Sequence, residues 1–257
     1  MKKKLILIFG AVVAVGLIAL IVVALSINSI VKVGIQKVGP MITQVPITVE
    51  GVNISIMSGS GKITGLTVGN PEGYKAASAI KAGHVAVSIS PGSVLSDKVI
   101  VRSVVVENPV ITFEGGFSGN NLSKILASVQ AFAGGAKTSG EPAAKEKAAG
   151  KKLQIDEFQL VGAKVDATLT MLGGKAMTLP IPDIKLTNLG QGPEGITPAE
   201  LVSLVLKQVT ESSVKAVANA AGSLGKGAID ATGEIGKGAT DAVKGVGKGI
   251  GDLFKKK

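Results

Sequence analysis

The chain has no cysteine and no tryptophan, one tyrosine, six phenylalanines and one histidine, and Arg102 is its only arginine. Without cysteine there are no disulfides and no thiolate metal sites, although this does not identify a compartment. His84 has no second His or Cys to complete a metal set or a nucleophile–base pair. It sits in an alternating run, Gly83-His84-Val85-Ala86-Val87, where a lone histidine reads as a strand residue. Base-edge readers lean on arginine and single-strand binders on stacked aromatics, so nucleic acid is a poor partner despite a net charge of +10. That charge is almost all lysine, which suits a membrane surface or simple solubility.

Catalytic patterns are also missing. Asp97, Glu107, Glu114, Asp156, Glu157 and Asp183 scatter along strand ends with no paired spacing. Gly59-Ser60-Gly61-Lys62-Ile63-Thr64 resembles the end of a phosphate-binding loop, but position 56 is Ile and the residue after the lysine is Ile63. Strands flank it on both sides, so it reads as a hairpin turn. The expectation is a protein that is not an enzyme, with no catalytic residue, no metal and no cofactor.

What the chain does have is Val, Ile, Leu, Ala and Gly, a thin-walled composition that suits a pleated sheet. Three segments share an apolar stencil: Ile63-x-x-Leu66-x-Val68-x-Asn70-Pro71, Val101-x-x-Val104-x-Val106-x-Asn108-Pro109, and Ile155-x-x-Phe158-x-Leu160-x-Gly162-Ala163. Steps of two are strand periodicity, and the single step of three fits a bulge. A half-buried antiparallel sheet would alternate in the same way. The shared offset and the repeated Asn-Pro favour a duplicated sheet unit.

Met1-Lys2-Lys3-Lys4 precedes an unbroken apolar run, Leu5 to Leu25. As a helix it spans about 31 Å, the thickness of a bilayer core. A cleaved signal peptide is the alternative, with small residues near Ala24 and Ser26, but such apolar cores are shorter. The three leading lysines place the N-terminus in the cytoplasm; Lys32 and Lys37 weaken that orientation without reversing it. An exit helix should then run from Ser26 to Val38 and stop at Gly39-Pro40.

The body reads as about ten strands, spread over 45–114 and 153–188, with two amphipathic helices. One is Asn121–Ala133, capped by Asn121, and the other starts at Thr197-Pro198-Ala199-Glu200 and runs to about Ala221. A Gly173-Gly174 hairpin is expected between two strands. The tail repeats Gly-Lys-Gly every 11 residues, at 225, 236 and 247. On a helix that period lines up Ile235, Val246, Ile250 and Leu253, with Phe254 beside them. The tail is read as disordered in water and helical on a membrane, or as a solvated low-complexity segment.

The expected fold class is mainly β, α+β. A transmembrane helix precedes a curved antiparallel β-sheet groove, with two amphipathic helices and an amphipathic C-terminal tail. The expected divisions are 1–28 stub and anchor, 29–133 first part of the groove, 134–152 disordered linker, 153–221 second part with a capping helix, and 222–257 repeat tail. Groove-lining candidates are Val85, Val87, Ile89, Val104, Val106, Ile111, Phe158 and Leu160. Membrane-tail candidates are Ile235, Val246, Ile250, Leu253 and Phe254.

The chain resembles the AsmA-like proteins of the bacterial envelope. The likeness is carried by the anchor and exit helix, by Pro46-Ile47-Thr48-Val49, and by Val68-Gly69-Asn70-Pro71-Glu72-Gly73-Tyr74. It continues through Ala82–Ile89, Ile100–Pro109, Phe113-Glu114 and Gly119-Asn120-Asn121-Leu122. The resemblance covers about residues 1 to 130; the strands over Leu153–Leu189 and Gly195–Glu200 look like the closing part of short members. It implies a taco-shaped sheet with an apolar concave face, similar to bridge-like lipid-transfer proteins with chorein-type N-termini. It also implies a single-pass inner-membrane protein with a periplasmic body, in envelope biogenesis or phospholipid trafficking. Membrane lipids are the implied partners, with envelope proteins or self-association as further ones. Ten strands at ~4.8 Å spacing would make a groove about 45 Å long, too short to bridge an envelope alone. A non-catalytic structural or assembly protein is the competing expectation.

Overall fold

The computed structural model describes residues 26–117, 119–134, 151–168 and 176–231. Short β-branched runs punctuated by Gly, Asn and Pro give ten strands in one sheet. They are β1 (Ile47–Thr48), β2 (Gly51–Ser55), β3 (Ser60–Gly69), β4 (Ser78–Ile89), β5 (Lys98–Glu107), β6 (Val110–Glu114), β7 (Lys152–Val161), β8 (Lys164–Thr168), β9 (Ala176–Pro180) and β10 (Ile184–Leu189). Three α-helices accompany them among the described residues: α1 (26–43), α2 (Asn121–Ala133) and α3 (Pro198–Ala231). The fold is mixed, with a large open sheet that is mostly antiparallel.

Two junctions are parallel, β5 with β7 and β6 with β8, so the sheet is not antiparallel throughout as expected. Parallel neighbours need a crossover, and the stretch holding α2 supplies it. The two groove divisions therefore form one continuous sheet, and Lys152 belongs to β7 and not to a linker.

Most strands come in end-to-end pairs: β1 with β2, β5 with β6, β7 with β8, β9 with β10. Each member of a pair hydrogen-bonds the same neighbouring strand or pair. Ten strands thus occupy only six positions across the sheet. The width is about 24 Å at ~4.8 Å per spacing, roughly half the length expected from the strand count.

The breaks between paired strands lie in one row. Gly65 and Gly83 stand between the Thr64–His84 and Leu66–Ala82 pairs. Asn108 and Gly162 stand between Glu107–Val161 and Val110–Lys164. Glu50 and Pro182 extend the row to the outer strands. At this crease every strand points two successive residues outward, so its inward residues step by three: Val49/Val52, Ile63/Leu66, Ala82/Val85, Val106/Pro109, Leu160/Ala163 and Ile181/Ile184. Gly65 and Gly162 adopt φ of +61° and +65°, and Asn108 a φ of 47°, in the left-handed region that Gly and Asn tolerate best. A Cβ at Gly162 would lie 2.5 Å from the Asn108 Oδ1, so one strand's side chain fills the space its neighbour leaves open. That explains why the third stencil ends in Gly-Ala beside the second's Asn-Pro.

The step of three in the other two stencils marks a different feature. Val101, Val104 and Val106 pair with Ile155, Phe158 and Leu160, so these two units are true neighbours. Their shared bulge falls at Arg102 and Asp156, and Asn188 in β10 joins it with a φ of 60°. Strand β4 has no matching step and absorbs the mismatch as a register shift at Ser88/Ile89. The stencil beginning at Ile63 instead places its step at the crease, so the three units are not equivalent.

Helix α1 does not stop at Gly39-Pro40 but continues to residue 43. Gly39 serves close approach: a Cβ there would lie 2.7 Å from Ile47 Cδ1. Thr43 Oγ1 donates to the Gly39 carbonyl at 2.9 Å, back-bonding the last turn of the helix. Helix α2 is capped by Asn120 rather than Asn121: Asn120 Oδ1 accepts from Ser123 N–H, and Ser123 Oγ from Asn120 N–H. Helix α3 opens with the expected capping box, Thr197 and Glu200 exchanging hydrogen bonds. It runs past Ala221 through the first Gly-Lys-Gly to Ala231, because extending a nucleated helix is cheaper than starting one. The Gly173-Gly174 hairpin lies outside the described residues, as does the tail beyond Ala231. Among the described residues no helix is long and apolar enough to cross a membrane, and the run Leu5–Leu25 lies outside them.

Candidate functional site

The register assembles three apolar rows on the inner face. The first is Val52, Ile63, Val85, Val106, Leu160 and Ile184; the second is Ile54, Val87, Val104, Phe158 and Leu186. The third is Ile89, Val101, Ile155 and Leu189. The outer face carries the complement: Ser60, Ser88, Ser103, Glu157 and Thr187 lie in one row across it. One apolar and one polar face is the pattern of a sheet solvated on one side.

All eight groove-lining candidates fall on the inner face, but they are not equally open. Ile111, Phe158 and Leu160 are buried in one core with Leu122, Ile125 and Val129 of α2 and Leu206, Val209 and Val217 of α3. Val85 is also buried. Val87, Ile89, Val104 and Val106 are half-buried, as are Val52, Ile54 and Ile63, which complete the rows. Ile63 opens the first stencil but was not named as a groove residue, and Val52 and Ile54 sit on the alternating strand beside it. Two clefts lie away from these rows. One of ≈ 500 Å³ is bordered by Gln36, Pro40, Gln44 and Ile47. The other, ≈ 210 Å³, lies between Thr43, Pro71 and Lys124. The candidates Ile235, Val246, Ile250, Leu253 and Phe254 lie outside the described residues.

The polar groups are occupied structurally. Glu114 accepts from the backbone N–H of Lys75 and Ala76 at 2.6 and 2.9 Å, and Asn121 joins Asn70 to the Thr112 carbonyl. This network fastens the Asn70–Ala77 loop to the start of α2. Among the described residues no buried side-chain polar atom lacks a partner, and no three His, Asp or Glu side chains converge as a metal site would need. His84 is exposed on the outer face, between Thr64 and Glu107 of the neighbouring strands. Two carboxylates are shifted. Hydrogen bonds from Lys185 and Gln159 hold Glu157 below the ordinary glutamate range. Those from the Thr197 N–H and hydroxyl do the same for Glu200. Both are explained by cross-strand pairing and helix capping.

Two large apolar side chains stand free of this packing. Met57, in the β2–β3 turn, is 98% exposed, and Leu95, between β4 and β5, is 89% exposed. Both fall in clusters of turn-forming residues, Ser58-Gly59 and Pro91-Gly92-Ser93, where an apolar residue has no strand face to join.

Comparison of the chain with protein-family models, with curated proteins and with solved structures found no match.

Proposed function

We propose that this is a membrane-anchored protein whose inner sheet face takes up lipid acyl chains, as the resemblance to AsmA-like envelope proteins implies. One observation carries the reading. The apolar rows continue without a polar interruption across β2, β3, β4 and β5, yet Val52, Ile54, Ile63, Val87, Ile89, Val104 and Val106 are only half-buried. Burying each methylene of an alkyl chain there would contribute about 0.8 kcal/mol, with no demand for a specific polar contact. The anchor would be the run Leu5–Leu25, with the N-terminus cytoplasmic and the body periplasmic. A sheet only about 24 Å wide covers part of a bilayer's thickness, so it would hold or hand on lipid beside a longer partner or a further copy.

The test is site-specific photo-crosslinking of the full-length chain in a bacterial membrane. A benzophenone side chain at Val87 or Val104 should yield phospholipid adducts, and one at Ser88 or Ser103 on the opposite face should not. No adduct at either inner position would sink the lipid reading.

A second reading, a structural envelope protein without lipid transfer, is favoured by a specific observation. Ile111, Phe158 and Leu160 are sealed in the core with the helices, so part of the expected groove is already filled. The same crosslinking separates the two readings, because a filled face would give protein adducts only.

A further inference from the structure

We propose that the end of the sheet opposite the β6–β8–β9 half is the surface that meets the membrane, with Met57 and Leu95 dipping into the lipid interface. This rests on the anchor reading of Leu5–Leu25 and adds which part of the body touches the bilayer.

Three observations converge on that end. The first is where the anchor arrives. Helix α1 lies beside the β1–β2 edge and runs opposite to β2: Asn28 Oδ1 accepts from the Ile54 N–H at 2.8 Å, and further along Lys32 Nζ donates to the Glu50 carbonyl at 2.8 Å. Residue 26 is therefore at the far end of β2, two helical steps before Asn28, about 3 Å of rise. Following α1 back to its first described residue leads in the direction in which β2 points, toward Met57.

The second is that the exposed apolar residues stand together there. The β2–β3 turn touches the β4–β5 connection: Ile89 N–H, at the end of β4, donates to the Gly59 carbonyl at 2.6 Å, and a Cβ at Gly59 would lie 3.1 Å from the Pro91 ring. Met57 and Leu95 sit on these two touching loops, and both stand exposed among the described residues. Core residues of the same kind, Leu122 and Ile125, are buried to within 1%. The third is the rim. Lys151 Nζ donates to the carbonyls of Val94 and Ser96, on either side of Leu95, and Lys98 Nζ to that of Gly192, with Lys152 paired beside Lys98. An apolar tip flanked by lysines matches an interface with anionic headgroups. A soluble protein partner would fit the tips equally well but would not explain why the anchor enters at the same end.

The absence of cysteine makes the test direct, because any introduced thiol is unique. Full-length Met57→Cys, Leu95→Cys and Lys164→Cys, the last an exposed position beyond the crease, are each labelled with an environment-sensitive fluorophore. They are reconstituted into phosphatidylethanolamine–phosphatidylglycerol vesicles with and without brominated chains. The expected result is co-flotation of all three, with blue-shifted emission quenched by bromolipid at 57 and 95 and neither effect at 164. Co-flotation with unquenched emission at 57 and 95 overturns the inference and leaves the anchor standing. Equal quenching at all three sites also overturns it, since the sheet would then lie flat on the membrane. Failure to float overturns both readings together.

Discussion

On either side of the crease the same alternating pattern meets different cover. Beyond it, Ile111 and Phe113 of β6 and Val165 and Ala167 of β8 are sealed, together with α2 and α3. On the near side, Val87, Val104 and Val106 repeat the alternation and stay half-buried. What differs is the helix above: α2 packs on β6 and against α3, and α3 reaches β8, β9 and β10. The near side is not uniform, because Val85, Val101, Ile155, Phe158, Leu160 and Ile184 are buried there, so only the half-buried positions across β2 to β5 are left available for a ligand.

The largest effect should come from testing that difference with cavities. Phe113→Ala empties a fully buried site and should cost about 3–5 kcal/mol. Val104→Ala, half-buried, should cost about 1 kcal/mol. Denaturation midpoints of the two variants measure the contrast. Equal losses would mean that the near half is as tightly packed as the far one and would remove the case for an open face.

The crease itself predicts a smaller, equally pointed contrast. Gly162→Ala places a Cβ 2.5 Å from the Asn108 Oδ1 at a φ of +65° and should cost about 1–3 kcal/mol. Gly83→Ala, in the same row, meets nothing within 4 Å and should change stability by under about 1 kcal/mol. If both are neutral, the crease is a soft bend rather than an enforced corner.

Much of this fold was legible from side-chain period alone. The strand segments, α2 and the start of α3 follow from steps of two and of 3.6 and from capping residues such as Thr197 and Glu200. What could not be read was which strands lie side by side. The step of three at Ile63 and the one at Val101 look identical in sequence. One sits on the crease and the other on a second bulge, because strand register depends on partners distant in the chain. The parallel junctions were hidden for the same reason. The eight groove candidates share one face through strand register, and their burial depends on helices that alternation does not see. Met57 and Leu95 passed unnoticed because an apolar residue in a turn carries no period.

The smallest effect probes how firmly the cover is held. Thr197 and Glu200 cap the end of α3, and Thr197→Ala should cost about 1 kcal/mol. Because the Thr197 hydrogen bonds lower the folded pKa of Glu200, the unfolded chain binds a proton there before the folded one does. The stabilisation is therefore present above the unfolded value of about pH 4.3 and is lost as pH falls through the lower folded value. Glu200→Gln should flatten that part of the acid-stability profile, whereas a matching change at Glu157, half-buried on the outer face beside Lys185, should leave helix α3 in place. If acid loosens α3 over the sheet, Phe158 and Leu160, buried in one core with Leu206 and Val209 of that helix, should become more accessible to a polarity probe in the wild-type chain than in Glu200→Gln at the same pH. An identical response in both would mean that the cap steadies the helix end without governing how the inner face is covered.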